Sequence, residues 1–296
     1  MRKLIALSVI MLAVLTVGCG GHSQPVPAEQ DSPPAQTLPP PDAVQEPEYG
    51  EHEDEYDFYV PEIEAEDAEP PDIEQSPYAQ EEPDVGVSED IAPAQRPMIA
   101  LTFDDGPSRY TEYILDLLER YGGRATFFVL GSRIEQWRDT VVRAAAIGSE
   151  IAGHTWSHRD LTRLSEQQIA AEIQKTSEAI KGITGFVQRF YRPPYGLMDE
   201  RVKNISADLG YALILWTVDV RDWAQRCADT VYEAIMNQAQ ENAVILLHDI
   251  HPTTAEAMER VIPGLIAEGY RLVTVTELLT NLYDELEKGN VYGRRG

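Results

Sequence analysis

From residue 98 onward the chain alternates between two hydrophobic rhythms. Short apolar runs of strand length fall at 98–103, 125–130, 150–152, 189–191, 212–217, 243–247 and 270–273. Between them, at 108–121, 134–147, 165–181, 199–209, 229–240 and 253–268, apolar side chains recur every three or four residues. The first rhythm belongs to strands buried on both faces, the second to helices that cover a sheet with one face. Boundary signals agree. Ser165 and Gln168 have the spacing of a capping box, and Gly148, Gly210 and Gly269 stand where helices should stop. Seven strand-like runs with six helical stretches between them imply parallel strands joined by right-handed crossovers. The expected fold is α/β, a distorted (β/α) barrel of about seven parallel strands. An open doubly wound sheet is the alternative.

Before residue 98 neither rhythm is present. Behind Arg2-Lys3 lies an apolar run of 14 residues, 4–17, interrupted only by Ser8 and Thr16. Spanning a bilayer takes roughly 20 residues, so the run fits the core of a secretory signal better than a membrane helix. Residues 20–97 hold 15 of the 20 prolines, and residues 20–95 hold 22 acids with no Lys or Arg. Such a stretch cannot bury enough apolar surface to offset the entropy of ordering. A disordered, acidic, Pro-rich tether is expected, with a fully stretched reach of roughly 260–280 Å.

Charge narrows the function. The whole chain carries −26, but residues 96–296 hold 28 acids against 22 bases, a net −6. No basic face for nucleic acid is expected. Cys19 and Cys227 are the only cysteines, which excludes a disulfide scaffold.

The polar residues that interrupt the barrel pattern fall at the C-terminal ends of its apolar runs, where (β/α) barrels build their sites. Asp104-Asp105 precedes Gly106-Pro107 after the first run. Paired carboxylates suit metal binding and proton transfer, although an Asp at a helix start can simply be a cap. His154 and His158 follow the third run four residues apart, a spacing that a helical turn would place on one face. One Asp with two His makes a three-ligand set that leaves a position open for hydrolysis. Arg192 stands on a stiff Pro193-Pro194-Tyr195-Gly196 turn and suits fixing a carboxylate. Asp219 to Trp223 places carboxylates beside an indole, and Leu246-Leu247-His248-Asp249 ends a buried run with an imidazole. Each motif alone has a structural reading as a turn, a cap or a core side chain. Five on one rim do not.

Together these motifs resemble the polysaccharide deacetylase family (the NodB-like homology domain, carbohydrate esterase family 4), and in particular its bacterial peptidoglycan N-acetylglucosamine deacetylases. The resemblance covers about 98–282. It implies a distorted (β/α) barrel and assigns roles position by position. Asp105, His154 and His158 would ligate a divalent metal, Zn2+ by ligand type. Asp104 would be the general base, oriented by Arg192. The backbone N–H of Tyr195 would meet the oxyanion. His248, supported by Asp222, would protonate the departing amine. Trp223 and Leu246, with Tyr195, would line the substrate pocket, and Ser157 would steady the histidine loop.

The apolar N-terminal run ends Leu15-Thr16-Val17-Gly18-Cys19-Gly20, which resembles the lipobox of bacterial lipoproteins with Cys19 as the lipidated residue. An ordinary cleaved signal or a retained anchor are the alternatives. The expected organisation is a lipoprotein-type signal at 1–19, a tether at 20–97, a catalytic domain at 98–285 and a C-terminal tail at 286–296. The expected protein is an extracytoplasmic, membrane-anchored monomer. Its expected substrate is N-acetylated glycan, with peptidoglycan first and chitooligosaccharide second. An O-acetyl xylan esterase and a glycan-binding pseudoenzyme are the remaining alternatives.

Overall fold

The computed structural model describes residues 95–225 and 227–293. The signal segment, Cys19 and nearly all of the acidic stretch lie outside the described residues. The first apolar run forms β1 (Met98–Asp104), buried along its whole length. Alternate side chains leave a strand in opposite directions. Ile99, Leu101 and Phe103 join the core shared with α1 (Arg109–Tyr121) and α6 (Pro252–Ala267). Met98 and Ala100 face the other way, into a second cluster inside the barrel. Thr102 and Asp104 continue that inner row, so it turns polar towards its C-terminal end.

The remaining strands are β2 (Thr126–Val129), β3 (Glu150–Gly153), β4 (Phe190–Tyr191), β5 (Ala212–Ile214), β6 (Val218–Asp219), β7 (Ala243–His248), β8 (Arg271–Leu272) and β9 (Val291–Tyr292). They run β6-β7-β1-β2-β3-β4-β5-β9, with β8 beside the start of β1, and every pairing is parallel. The other helices are α2 (Arg138–Ala146), α3 (Glu166–Thr184), α4 (Glu200–Leu209), α5 (Ala228–Met236) and α7 (Val275–Leu282). The result is the distorted (β/α) barrel. The Ser165–Gln168 capping box forms, and Gly210 ends α4 in the left-handed conformation (φ 90°).

Four departures from the sequence pattern have physical causes. The run at 212–217 breaks after Ile214 because Arg192 takes the carbonyls of Ile214 and Leu215, and the chain then crosses to pair with β7 as β6. The helix expected from 134 starts at Arg138, because residues 131–133 form a 3-10 turn whose amides bond the histidine loop. The helix α7, absent from the expected elements, packs Val275, Leu278 and Leu279 into the inner cluster beside Met98. It therefore lies at the N-terminal end of the barrel. The sheet also extends past residue 285, since β9 pairs with β5.

Candidate active site

Register places the motifs at one level. Asp104 pairs with His248 across β1 and β7, and Gly153 pairs with Tyr191 across β3 and β4. His154 and Arg192 are the next residues of those two strands, so all four converge at the C-terminal rim. The backbone there is unusual. Six described residues other than glycine have positive φ, and five of them (Asp105, Thr155, His158, Tyr195 and Arg221) stand on this rim. Each such conformation costs about 1–3 kcal/mol and persists only where neighbours hold it. Asp104 and Asp105 both reach the mouth because φ is 74° at Asp105, which redirects the chain after the strand. Gly106 follows from packing. A Cβ there would lie 2.3 Å from the Asp249 carboxylate.

Arg192 is wholly buried. Its Nη1 donates to Asp104 Oδ1 at 2.6 Å and to Thr102 Oγ1 at 2.9 Å, and its Nη2 donates to the Leu215 carbonyl at 2.9 Å. The guanidinium lies 4.0 Å from the centre of the Phe128 ring. Burial pushes the Asp104 carboxyl above its ordinary pKa, and the nearby charges of Arg192 and His248 only partly oppose that.

His154 Nδ1 lies 2.8 Å from the Arg192 carbonyl oxygen. A carbonyl can only accept, so Nδ1 carries the proton and Nε2 keeps its lone pair. Burial, aided by the charge of His158, pushes the His154 pKa down to about 3. The ring is neutral, as metal ligation requires. Asp105 Oδ1 lies 3.5 Å from His154 Nε2 and 3.3 Å from His158 Nε2. The three ligand atoms lie within 4.8 Å of one another. Asp105 Oδ1 is buried yet accepts no hydrogen bond among the described residues. A buried acceptor without a donor is costly, and a cation held with the two imidazoles would satisfy it. The donor set fits a divalent metal. The loop itself is not helical. Thr155 (φ 67°) and His158 (φ 58°) bring the imidazoles together, which corrects the helical turn expected from their spacing.

Across the cavity His248 Nδ1 donates to Asp222 Oδ1 at 2.8 Å. The other oxygen, Asp222 Oδ2, accepts from the His248 amide at 2.8 Å and from Thr254 Oγ1 at 2.7 Å. Burial opposes both charges, but the pair's bond and mutual attraction prevail. Asp222 sits below its ordinary pKa, and His248 is pushed up to about 10. The imidazolium therefore has Nε2–H left to give.

A cavity of about 450 Å³ joins these groups. Tyr195 (φ 59°) is exposed there, with its ring edge-on to His158 at 4.6 Å between centroids. Trp223, half-exposed, and Leu246, buried, are on its wall. Every candidate site residue within the described part thus borders or supports one cavity. A separate cavity of about 420 Å³ around Glu150 and Phe190 contains none of them. Sequence reasoning missed Thr102, Thr254, Trp216 and Glu172. Thr102 had a signal, because it shares the inward row of β1 with Asp104. Glu172 also had one, as an acid on the apolar stripe of α3. Thr254 and Trp216 had none.

The sequence matches the family described as polysaccharide deacetylase over residues 92–214. It is 43% identical over 192 residues to the peptidoglycan-N-acetylmuramic acid deacetylase PdaC of Bacillus subtilis, covering 64% of this chain and 40% of that protein. It is 40% identical over 181 residues to the peptidoglycan-N-acetylglucosamine deacetylase PgdA of Listeria monocytogenes, covering 61% of this chain and 38% of that protein. The alignments thus span less than half of either relative. Among solved structures, that of B. subtilis PdaC superposes with a TM-score of 0.61 at 41% identity, over 64% of this chain and 93% of that one. The chain belongs to the polysaccharide deacetylase family.

Proposed function

We propose that this protein is a metal-dependent hydrolase that removes N-acetyl groups from extracellular glycan, with N-acetylglucosamine of peptidoglycan as its substrate. One observation carries the reading. Three ligand-type atoms within 4.8 Å of one another share a cavity with a pinned carboxylate and a charged imidazole. That is the inventory amide hydrolysis needs, because base and acid must be separate groups flanking the carbonyl.

Asp105, His154 and His158 would hold the ion. When bound, a divalent metal such as Zn2+ polarises the acetyl carbonyl and lowers the pKa of water from about 15.7 to about 7. Asp104, held at Oδ1 by Arg192, accepts the proton of the attacking water. The Tyr195 backbone N–H would be the donor to the developing oxyanion. His248 passes its Nε2 proton to the glycan nitrogen as the C–N bond breaks, which releases acetate and a free amine. Trp223, Leu246 and the Tyr195 ring form the sugar and acetyl walls.

The lipobox-like end of the apolar run and the acidic stretch after it support a wall substrate, within reach of a membrane-anchored enzyme. Lipid-precursor labelling of the full chain should disappear in Cys19→Ala; unchanged labelling would remove the anchor. The substrate test is acetate release by the full chain from peptidoglycan, chitooligosaccharides and acetylxylan side by side, with amino-sugar analysis of the product. Free amine on glucosamine of peptidoglycan supports the reading. Free amine confined to muramic acid, or release confined to chitooligosaccharides or to xylan esters, would reassign the substrate.

A further inference from the structure

We infer that Glu172 is a positioning residue for the metal site, fixing the loop that delivers His158. This rests on the proposed metal role of Asp105, His154 and His158. Glu172 lies on the buried stripe of α3 with Ile169, Ile173, Thr176 and Ile180. A carboxylate is a costly occupant of such a stripe unless its oxygens are bonded. Both are bonded, and both go to the same loop. Oε2 accepts from the amides of Trp156 at 2.8 Å and Ser157 at 2.9 Å, and Oε1 accepts from Ser157 Oγ at 2.6 Å. These donors belong to the two residues immediately before His158. Packing of α3 alone would be served as well by an apolar side chain.

The loop needs this hold. Its two left-handed residues, Thr155 and His158, flank the two that Glu172 grips. The amides of Gly131 and Ser132 bond the carbonyls of Thr155 and Trp156, each at 3.0 Å, so the opposite edge is fixed as well. A Cβ on Gly131 would lie 2.5 Å from the Trp156 ring, so glycine's lack of a side chain lets the two segments approach this closely. Lys175, one turn after Glu172 on α3, places Nζ 3.7 Å from the centre of the Trp156 ring. The bonds from Glu172 to the loop end at Trp156 and Ser157 and touch neither His154 nor His158. It acts through the loop, setting where His158 Nε2 stands relative to Asp105 Oδ1.

The test compares full-length wild type, Glu172→Ala, Glu172→Gln, Ser157→Ala and His154→Ala. Zn2+ affinity is measured by competition with a chromophoric chelator, and the Co2+-substituted proteins are compared by visible absorption. Outer groups that orient metal ligands are worth about 10- to 100-fold in affinity. Glu172→Ala should lose metal affinity by that factor and change the Co2+ band. Glu172→Gln, which keeps one acceptor oxygen, and Ser157→Ala should lose less. A merely structural role would lower the melting temperature of the metal-free protein and leave the affinity of the folded fraction unchanged. That outcome, in Glu172→Ala or, should it not fold, in Glu172→Gln, overturns the inference. If His154→Ala loses the metal while the Glu172 variants keep it, the positioning role alone fails. If His154→Ala also binds Zn2+ as tightly as wild type, the metal reading fails and the positioning role goes with it.

Discussion

Asp104→Asn is expected to keep its metal and to lose turnover by about 10²- to 10⁴-fold, the usual worth of a positioned proton acceptor. The substitution leaves an oxygen to accept from Arg192 Nη1, so the local geometry should persist. The proposed ligand set Asp105, His154 and His158 is untouched. What disappears is the ability to take a proton. The wild-type carboxyl is suited to that step, because burial raises its pKa against the opposing charges of Arg192 and His248. A base works best when its pKa approaches the working pH. The check is kcat for acetate release together with metal bound per chain. An unchanged rate would remove Asp104 from proton transfer. A lost ion would move it into the ligand set, since Asp104 Oδ2 lies only 3.6 Å from His154 Nε2.

Arg192→Ala is expected to give the largest loss of stability of any single site substitution. The guanidinium has no exposed surface, and it bonds Asp104, Thr102 and the carbonyls of Ile214 and Leu215. Removing one member of a buried ion pair leaves the other charge unpaired, at a cost of about 3–5 kcal/mol. In a domain of roughly 200 residues each kcal/mol lowers Tm by about 2–4 °C, so a fall of about 6–20 °C is expected. Arg192→Lys should not restore it, because an ammonium cannot reproduce the planar fork. Adding Asp104→Asn to Arg192→Ala should recover part of the loss, because it removes the stranded charge. Thermal unfolding followed by circular dichroism measures all four proteins. A fall below about 3 °C in the single variant would mean that the buried pair is worth far less than such pairs usually are.

The barrel was legible where burial on both faces forces continuous apolar runs, as in β1 and β7. The candidate site was legible as a cluster because its polar residues interrupt those runs at the same end of successive units. The shape of the histidine loop was not legible. Four-residue spacing suits a helical turn, but left-handed conformations at Thr155 and His158 depend on contacts with Glu172 and residues 131–132, which are distant in sequence. The break after Ile214 has the same origin, a long-range demand by Arg192 for two carbonyls. The two-residue strand β9 is too short to show a period. The helix α7 was readable, since Thr274 and Glu277 form a capping box. Its role became visible only once the inner cluster beneath the site was in view.

The most direct measurement is metal content and acetate release together, on the full chain, before and after chelation. The expected result is one divalent ion per chain and release of acetate from peptidoglycan. Release should fall by at least about 100-fold on chelation and return when Zn2+ is added. Undiminished release from the metal-free protein, or full occupancy with no release from any acetylated glycan, would contradict the assignment of this cavity as a metal-dependent deacetylase site.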